Sequence, residues 1–266
     1  AEPMIVYYAV GGGLGHVTRA RRVLDALRID DAVIVASAKT DARVTGRYPL
    51  ADSLDSLSPE RIIVDAFPLG LRGELAGIDV PLDYVARLLR WDEYRRCVPH
   101  PLPRFGTTYL VEPVTHEVPS DRTVELSLEI DDRSSNPEYR IENEEFFIRN
   151  SQFGIRNSFW LVVHSGPEDE VRELIAYAEE LQRIENDRTR LVVVSQCGIG
   201  IDVIPANQLF ANAKRIVSAA GFNVMLETES YRDKHHVVPM PRRFDDQFAR
   251  AARRRYDSSS RICAAR

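Results

Sequence analysis

The sequence predicts an α/β protein made of two βα-repeating halves. Its strand-like segments are unbroken apolar runs, such as Leu191–Val194, and helical patterns separate them, which is typical of a parallel sheet covered on both faces. The stretch 120–150 is rich in charged residues and poor in apolar runs, and a second alternating unit follows it. We therefore predict two Rossmann-like domains, residues 1–117 and residues 118–266, that face each other across a cleft.

The first half begins with an apolar run at residues 4–10 that ends at a glycine-rich loop. Apolar residues then recur at spacings of three and four, which predicts a helix: Val17, Ala20, Leu24 and Leu27. Further strands are predicted at 32–36, 61–65 and 107–111, and a further helix at 82–96. These elements together predict one parallel sheet with helical crossovers.

The second half repeats this alternation. A strand at 159–163 precedes a helix that begins with acidic residues at Glu168, which suits the positive end of a helix dipole. Later strands are predicted at 191–194, 203–204, 214–218 and 236–239, and later helices at 222–228 and after residue 247. A second parallel sheet is expected from this pattern.

Composition and charge exclude several classes of protein. Lys and Arg number 35 against 40 Asp and Glu, a net charge of −5, and 44% of the residues are hydrophobic, so neither wholesale disorder nor a basic nucleic-acid binder is expected. The residues before the first strand show no secretory signal. Three widely spaced cysteines argue against disulfides and a zinc site. We expect a cytoplasmic protein that binds no nucleic acid and no metal.

The glycine loop at 11–15 has the order strand, glycines, helix, which lets a backbone approach a ligand closely. The spacing of a dinucleotide site fails, because His16 stands where its last glycine should be, and no acid ends the second strand. A histidine at this place has a pKa suited to general-base chemistry near neutrality. Its alternative role is to cap the loop or the helix.

Two further segments suggest ligand contacts in the second half. Ala220 and Gly221 form a small-residue turn before a helix, and Glu227 follows one turn later, at a distance that suits ribose hydroxyls. The alternative is an ordinary strand-to-helix connection. Asp246 and Gln247 stand at another helix start, where they would grip sugar hydroxyls or form a simple N-cap.

The order of these motifs resembles that of GT-B glycosyltransferases. Residues 13–19, Gly-Leu-Gly-His-Val-Thr-Arg, resemble the G-x-G-H-x-x-R loop of this group, including the N-acetylglucosaminyl transferase that makes the lipid-linked peptidoglycan precursor. Residues 220–223 with Glu227 resemble the donor signature H-G-G-x-N-S-x-x-E, and Asp246-Gln247 is similar to the D-Q pair of UDP-sugar transferases. Residues 65–75 are similar to bacterial glycosyltransferases of the same group.

The chain departs from the donor signature at three positions. Ala219 replaces its histidine, Ala220 its first glycine and Val224 its serine, which removes side-chain contacts to phosphate.

The resemblance implies an inverting transfer from a nucleotide sugar, expected to be UDP-linked, to an acceptor hydroxyl. His16 would deprotonate the acceptor with support from Asp65. Helix N-termini, rather than a metal or cofactor, would stabilise the leaving diphosphate. The residues expected at the donor are Gly13, Gly15, Gly166, Ala220, Gly221, Asn223, Glu227, Asp246 and Gln247. A lipid acceptor would add peripheral membrane contact.

Two other functions fit the same motifs. A nucleotide-sugar hydrolase or epimerase of this fold has a similar glycine-histidine loop and would use water in place of an acceptor alcohol. A non-catalytic sugar-nucleotide sensor is favoured by the altered donor signature and disfavoured by His16 and Glu227.

Overall fold

A computed structural model describes the chain over residues 4–11, 13–36, 42–130 and 158–264, with side chains of the last helix up to residue 255. The chain divides into two compact units. The first comprises residues 1–129 with 241–246, and the second comprises residues 130–240 with 247–266. Each unit contains one parallel sheet.

The first unit is built on seven strands. In chain order its elements are β1 (Ile5–Tyr8), α1 (Leu14–Ala26), β2 (Ala32–Val35), a 3-10 turn (Ala42–Val44), β3 (Leu50–Ala51), β4 (Arg61–Asp65), β5 (Leu82–Ala86), α2 (Trp91–Cys97), β6 (Phe105–Leu110) and β7 (Ser120–Glu125). The strand order is β3-β2-β1-β4-β5-β6-β7, so β1 lies beside both β2 and β4. The chain reverses its direction of travel across the sheet between β1 and β4, which is the topological switch point of such a fold.

The central strands are covered on both faces, as their apolar sequences predict. Ile62, Ile63 and Val64 in β4 are successive residues, and each is at most 1% exposed. Since successive side chains of a strand point to opposite faces, both faces of this strand are packed.

The predicted helix at 82–96 is wrong in its first half. Residues 82–86 form β5, which pairs with β4 and β6, and the helix α2 begins at Trp91. Tyr84 is fully buried and packs in the sheet core, whereas the apolar spacing of this stretch is equally compatible with a helix. Packing between neighbouring strands, which local periodicity does not report, decides the outcome.

The second unit is built on four strands. Its elements are β8 (Phe159–Val163), α3 (Glu168–Ile184), β9 (Leu191–Val194), a 3-10 turn (Ala206–Leu209), β10 (Ala213–Ala219), α4 (Phe222–Glu227), a 3-10 segment (Glu229–Lys234), β11 (His235–Val238) and α5 (Gln247–Ala264). The strand order is β11-β10-β8-β9, with every pairing parallel. The switch point of this sheet lies between β8 and β10.

The predicted strand at 203–204 is not found. The two apolar residues there are too few for a strand, and Val203 packs instead against the core under β8 and β9. The other predicted strands and helices of both halves are present, with small shifts at their ends.

The first sheet extends past the predicted domain boundary at residue 117. Its edge strand β7 pairs with β6 from Ser120 to Glu125, within the charged stretch that precedes the second alternating unit in the sequence. Residues 241–246, which we call the return segment, also belong to the first unit although they follow β11 in the chain.

Candidate functional site

The switch point of the first sheet brings His16 and Asp65 together. β1 and β4 pair in parallel up to Tyr8 and Val64, so their carboxyl ends lie at the same edge of the sheet. His16 stands in the first turn of α1 after the glycine loop, and Asp65 is the last residue of β4. Ligands bind at this edge in open α/β sheets, and the two residues expected to be catalytic meet there.

Asp65 accepts a hydrogen bond from the imidazole of His16. The distance from Nδ1 to Oδ2 is 2.6 Å, and the side chain of His16 is 12% exposed while that of Asp65 is fully buried. Because Asp65 is ionised, as shown below, the proton between them belongs to Nδ1. The lone pair of the neutral imidazole is therefore on Nε2, and no described residue donates a hydrogen bond to that atom.

Two more residues hold Asp65 from other elements. Arg19, one helical turn after His16, donates from Nε to Oδ1 at 2.7 Å and from Nη2 to Oδ2. Tyr7 of β1 donates its hydroxyl to Oδ1 at 2.9 Å. Both oxygens of the carboxylate are thus occupied by donors from β1 and α1. Neither residue has a role predicted from the sequence: Arg19 is the arginine of the glycine-histidine motif, one helical turn after His16, whereas no motif indicates Tyr7.

These contacts shift the pKa values of the cluster in opposite directions. Burial by itself raises the pKa of Asp65, but the charge of Arg19 and the hydrogen bond from His16 outweigh it and hold that pKa well below its usual range. Burial lowers the pKa of His16, and Arg19 and Arg87 add to this effect, while Asp65 opposes it. An ionised acid beside a neutral imidazole is the arrangement that general-base chemistry requires.

Close packing surrounds the imidazole. A Cβ built on Gly11 would overlap the ring of His16, so the first residue of the glycine loop must lack a side chain for the ring to sit there. The ring of Phe67 lies on another side, with centroids 5.6 Å apart. Gly13 precedes α1 in extended conformation, and Gly15 lies in the first turn of the helix rather than in the loop.

A second ion pair, between Arg87 and Asp245, lies near this cluster. Arg87 follows β5 and donates to the carboxylate of Asp245 in the return segment, and Glu112 lies 3.7 Å from its Nε. Phe244 packs against Phe67 at 5.8 Å between ring centroids. The sequence motif indicates the neighbouring Asp246 and not Asp245. No local feature of the sequence shows that Asp245 pairs with an arginine distant in the chain.

The switch point of the second sheet has its own histidine–carboxylate pair. His164 follows β8, and its Nε2 lies 2.6 Å from Oε2 of Glu170 in the first turn of α3. A Cβ on Gly166 would overlap the His164 ring and approach the Glu170 carboxylate, so a glycine is needed where this pair forms. The sequence predicted Gly166 as a nucleotide contact, and that role stays a prediction.

The predicted donor segment follows the adjacent strand β10. Ala220 is fully buried, and Gly221 is the N-cap residue of α4 with no side-chain cap. Asn223 and Glu227 are half-buried on the same short helix. These four residues directly follow the carboxyl end of β10, at the switch point of this sheet, and their contact with a nucleotide stays a prediction.

Two buried arginines of α5 hold this segment. Arg250 donates to the carbonyl oxygen of Ala220 at 2.9 Å. Arg254 donates to the carbonyl oxygens of Met225 at 2.9 Å and Thr228 at 2.7 Å, where the positive charge also suits the carboxyl end of a helix. The sequence does not indicate that these two arginines are buried, since an arginine on an amphipathic helix is usually exposed.

Gln247 is buried at the start of α5 and serves the backbone. Its Oε1 accepts the backbone N–H of Met240 at 3.0 Å. A role in sugar recognition would therefore fall to its Nε2 amide group. Asp246 is half-buried and belongs to the first unit, whereas Gln247 belongs to the second.

The described residues contain neither a cluster of metal-binding side chains nor a membrane-spanning helix. Over residues 4–11, 13–36, 42–130 and 158–264, no three His, Cys, Asp or Glu side chains are grouped so that they could hold a metal ion. In the same part of the chain, no helix has the length and apolar character needed to cross a membrane.

The fold matches that of a known glycosyltransferase. The crystal structure of the glycosyltransferase SsfS6 from Streptomyces sp. SF2575 superposes with a TM-score of 0.54 at 13% sequence identity, covering 90% of this chain and 82% of that one. Its complex with thymidine diphosphate gives a TM-score of 0.55 at the same identity, covering 90% and 83%. No protein-family model matches the chain, and no curated protein sequence matches it. The two α/β units thus have the GT-B fold that the sequence predicts.

Proposed function

We propose that the protein is a glycosyltransferase that moves a sugar from a nucleoside diphosphate sugar to an acceptor hydroxyl, with inversion at the anomeric carbon. The observation that carries this proposal is the buried His16–Asp65 pair at the switch point of the first sheet of a GT-B fold. The pair presents a neutral imidazole nitrogen with a fixed tautomer, and deprotonation of a hydroxyl requires such a group.

The proposed reaction is a single displacement. Nε2 of His16 takes the hydroxyl proton while the acceptor oxygen forms its bond to the anomeric carbon. The bond from that carbon to the diphosphate oxygen breaks with its electron pair, and the nucleoside diphosphate leaves from the opposite face of the sugar. Asp65 stays ionised and balances the charge of the imidazolium that forms.

In this proposal the second unit holds the donor. Backbone atoms of Ala220 and Gly221 contact the diphosphate, and the carboxylate of Glu227 accepts ribose hydroxyls. Their common position at the switch point of the second sheet supports this assignment. A donor with a pyrimidine base is favoured. The resemblance to the donor signature favours UDP, and the complex of SsfS6 with thymidine diphosphate favours thymidine diphosphate.

We further propose that the reaction uses neither a metal nor a cofactor. The sequence has no two aspartates separated by one residue, the pattern with which metal-dependent transferases hold their ion. Backbone N–H groups would then stabilise the leaving diphosphate. Asp246 and the amide of Gln247 are proposed to contact the sugar.

The test of catalysis compares wild type with His16→Ala. The proteins are incubated with UDP- and dTDP-linked hexoses and N-acetylhexosamines and a panel of hydroxyl acceptors, and release of nucleoside diphosphate is measured. We expect turnover to fall about 10²–10⁴-fold in His16→Ala, while nucleotide affinity by calorimetry stays near that of wild type. A stable His16→Ala protein with full turnover contradicts the proposal. Sugar release at the full rate without any acceptor identifies a hydrolase instead.

The donor side is tested by Glu227→Ala. We expect weaker binding of UDP or thymidine diphosphate in calorimetry, by about tenfold or more for the loss of hydrogen bonds to a charged group. Glu168→Ala, which removes an exposed carboxylate at the start of α3, is the matched control and should bind as wild type does. Equal affinities in the two variants would remove Glu227 from the donor site.

A further inference from the structure

The carboxylate of Asp65 has no capacity left to take up a proton. Oδ1 accepts from Nε of Arg19 and from Tyr7, and Oδ2 accepts from His16 and from Nη2 of Arg19. The side chain of Arg19 is 1% exposed and makes both its contacts in the fork geometry that matches a carboxylate. Protonation of Asp65 would break several of these hydrogen bonds at once at a fully buried carboxylate, so a proton on His16 stays on His16.

Burial and the surrounding charges together decide how readily the imidazole takes that proton, and burial, which disfavours the imidazolium, has the largest effect. Asp65 from β4 favours the imidazolium, whereas Arg19 from α1, whose Nη2 lies 3.2 Å from Nδ1, disfavours it. Arg87, after β5, also disfavours the imidazolium, and Asp245 in the return segment partly neutralises Arg87 together with nearby Glu112. The phenol of Tyr7 is neutral, because burial and Asp65 raise its pKa far above the physiological range.

We propose that Arg19 is the positioning residue of the site: it locks Asp65 in the orientation that fixes the Nδ1–H tautomer of His16, and its charge beside Nδ1 opposes protonation of the imidazole. This inference rests on the proposed role of His16. Arg19 acts through its neighbours, since its guanidinium is occupied by Asp65 and by the carbonyl oxygen of Gly15. Its geometric effect and its charge effect are separable by substitution.

The experiment follows the imidazole of His16 directly by NMR titration of its ring protons, assigned by their disappearance in His16→Gln. In Arg19→Met we expect the midpoint of the titration to move to higher pH by roughly one unit, because a cation beside Nδ1 has been removed. In Asp65→Asn the midpoint should move in the opposite direction. Arg104→Met, which removes an exposed arginine at the opposite edge of the sheet, leaves the midpoint unchanged.

The pH dependence of kcat/KM supplies a second readout. In Arg19→Met the acidic limb of the kcat/KM profile should move to higher pH, together with the midpoint of the NMR titration. In Arg19→Lys, which keeps the charge and loses the fork, the limb should stay in place while kcat falls by up to about 100-fold. If Arg19→Met does not fold, Arg19→Gln removes the same charge in a polar side chain and Arg19→Lys still tests the geometric effect.

An unchanged His16 titration in folded Arg19→Met overturns the inference, and so does full kcat in Arg19→Lys. The NMR titration does not depend on turnover. A protein whose His16 titrates as expected but which transfers no sugar would contradict the proposed function and leave the role of Arg19 as the organiser of the cluster intact.

Discussion

Position 11 must be a glycine, because the imidazole of His16 leaves no room for a side chain there. Any Cβ at this position would overlap the His16 ring, while the backbone of Gly11 is outside the left-handed region and accepts an alanine. A glycine can thus be required by what packs against it rather than by its own dihedral angles.

Gly11→Ala should displace the imidazole from Asp65 without unfolding the protein. A shift of about 1 Å in a catalytic group commonly costs as much as about 100-fold in rate, so we expect turnover to fall by up to that factor while the melting temperature stays near that of wild type. Turnover, thermal melting and the NMR signals of His16 are measured on one preparation. Gly13→Ala, whose added methyl meets nothing within 4 Å, is the control for the His16 signals. Normal turnover in Gly11→Ala would show that the ring does not need its present place.

Asp65 shows why the candidate base is built from several elements. A fully buried carboxylate is costly unless it is paired and hydrogen-bonded, and here β1 supplies one donor residue and α1 supplies two to the end of β4. Each donor comes from a segment whose position is set by the sheet. The geometry of His16 therefore depends on the packing of the first unit and not on the glycine loop alone.

The sequence does not indicate that the return segment packs against the first unit. It carries Phe244 into an apolar cluster with Phe67 and Tyr94, and the N–H of Arg90 donates to the carbonyl oxygen of Phe244 at 2.7 Å. The same segment bears Asp245, the partner of Arg87. Residues distant in sequence thus complete the packing and the charge balance beside the candidate catalytic pair.

Phe244→Ala should destabilise the first unit by about 3–5 kcal/mol, the usual cost of removing a buried phenylalanine. Phe248→Ala is the matched control, because Phe248 stands four residues later and is 57% exposed, against 5% for Phe244. Urea unfolding should separate the two variants clearly. Equal losses of stability would mean that the return segment does not pack into the first unit in solution.

The strand β5 illustrates how an element can be misread. Its residues carry apolar side chains at spacings that fit a helix, and Asp83 within it is buried, which no local rule anticipates. Asp83 accepts the backbone N–H of Thr107 at 2.7 Å and a hydrogen bond from Arg61 at 2.6 Å, so its partners come from β6 and β4. The neighbouring strands therefore decide both the conformation and the tolerance for a buried acid.

At the scale of the whole molecule, the buried His116 and the half-buried His235 predict that acid lowers stability. Burial lowers the pKa of His116 in the first unit to about 4, and burial followed by the charge of Arg254 lowers the pKa of His235 in the second unit to about 3. In the unfolded chain both have a pKa near 6.5. Between about pH 6.5 and pH 4 the unfolded chain binds protons that the folded protein does not, so the free energy of unfolding falls as the pH falls through this range.

The test is urea unfolding between pH 7 and pH 4.5. We expect His116→Phe, which keeps a ring against Trp91, to lose less stability on acidification than wild type, by up to about 1.4 kcal/mol per pH unit. His100→Gln, at an exposed histidine, should follow wild type. Asp65 acts at lower pH. Its pKa is lowered in the folded state, so the ionised carboxylate stabilises the fold above the ordinary aspartate pKa near 3.9, and this stabilisation is lost as the pH falls below that value. Parallel curves for wild type and His116→Phe would contradict this account.

The sequence by itself determined the alternation of strands and helices and the place of the glycine loop with His16. These features follow from apolar periodicity and from residues within one turn of each other, which are local properties. The order of the motifs along the chain also predicted the GT-B fold that the comparison with SsfS6 supports.

Only the tertiary structure decided what surrounds His16. Asp65 lies 49 residues away along the chain and Asp245 lies 158 residues from its partner Arg87. The sheet order places the ends of β1 and β4 side by side, and the return segment belongs to the first unit although it follows all strands of the second sheet in the chain. Such contacts depend on the sum of many weak packing energies over the entire chain, so no short stretch of sequence contains the information that specifies them.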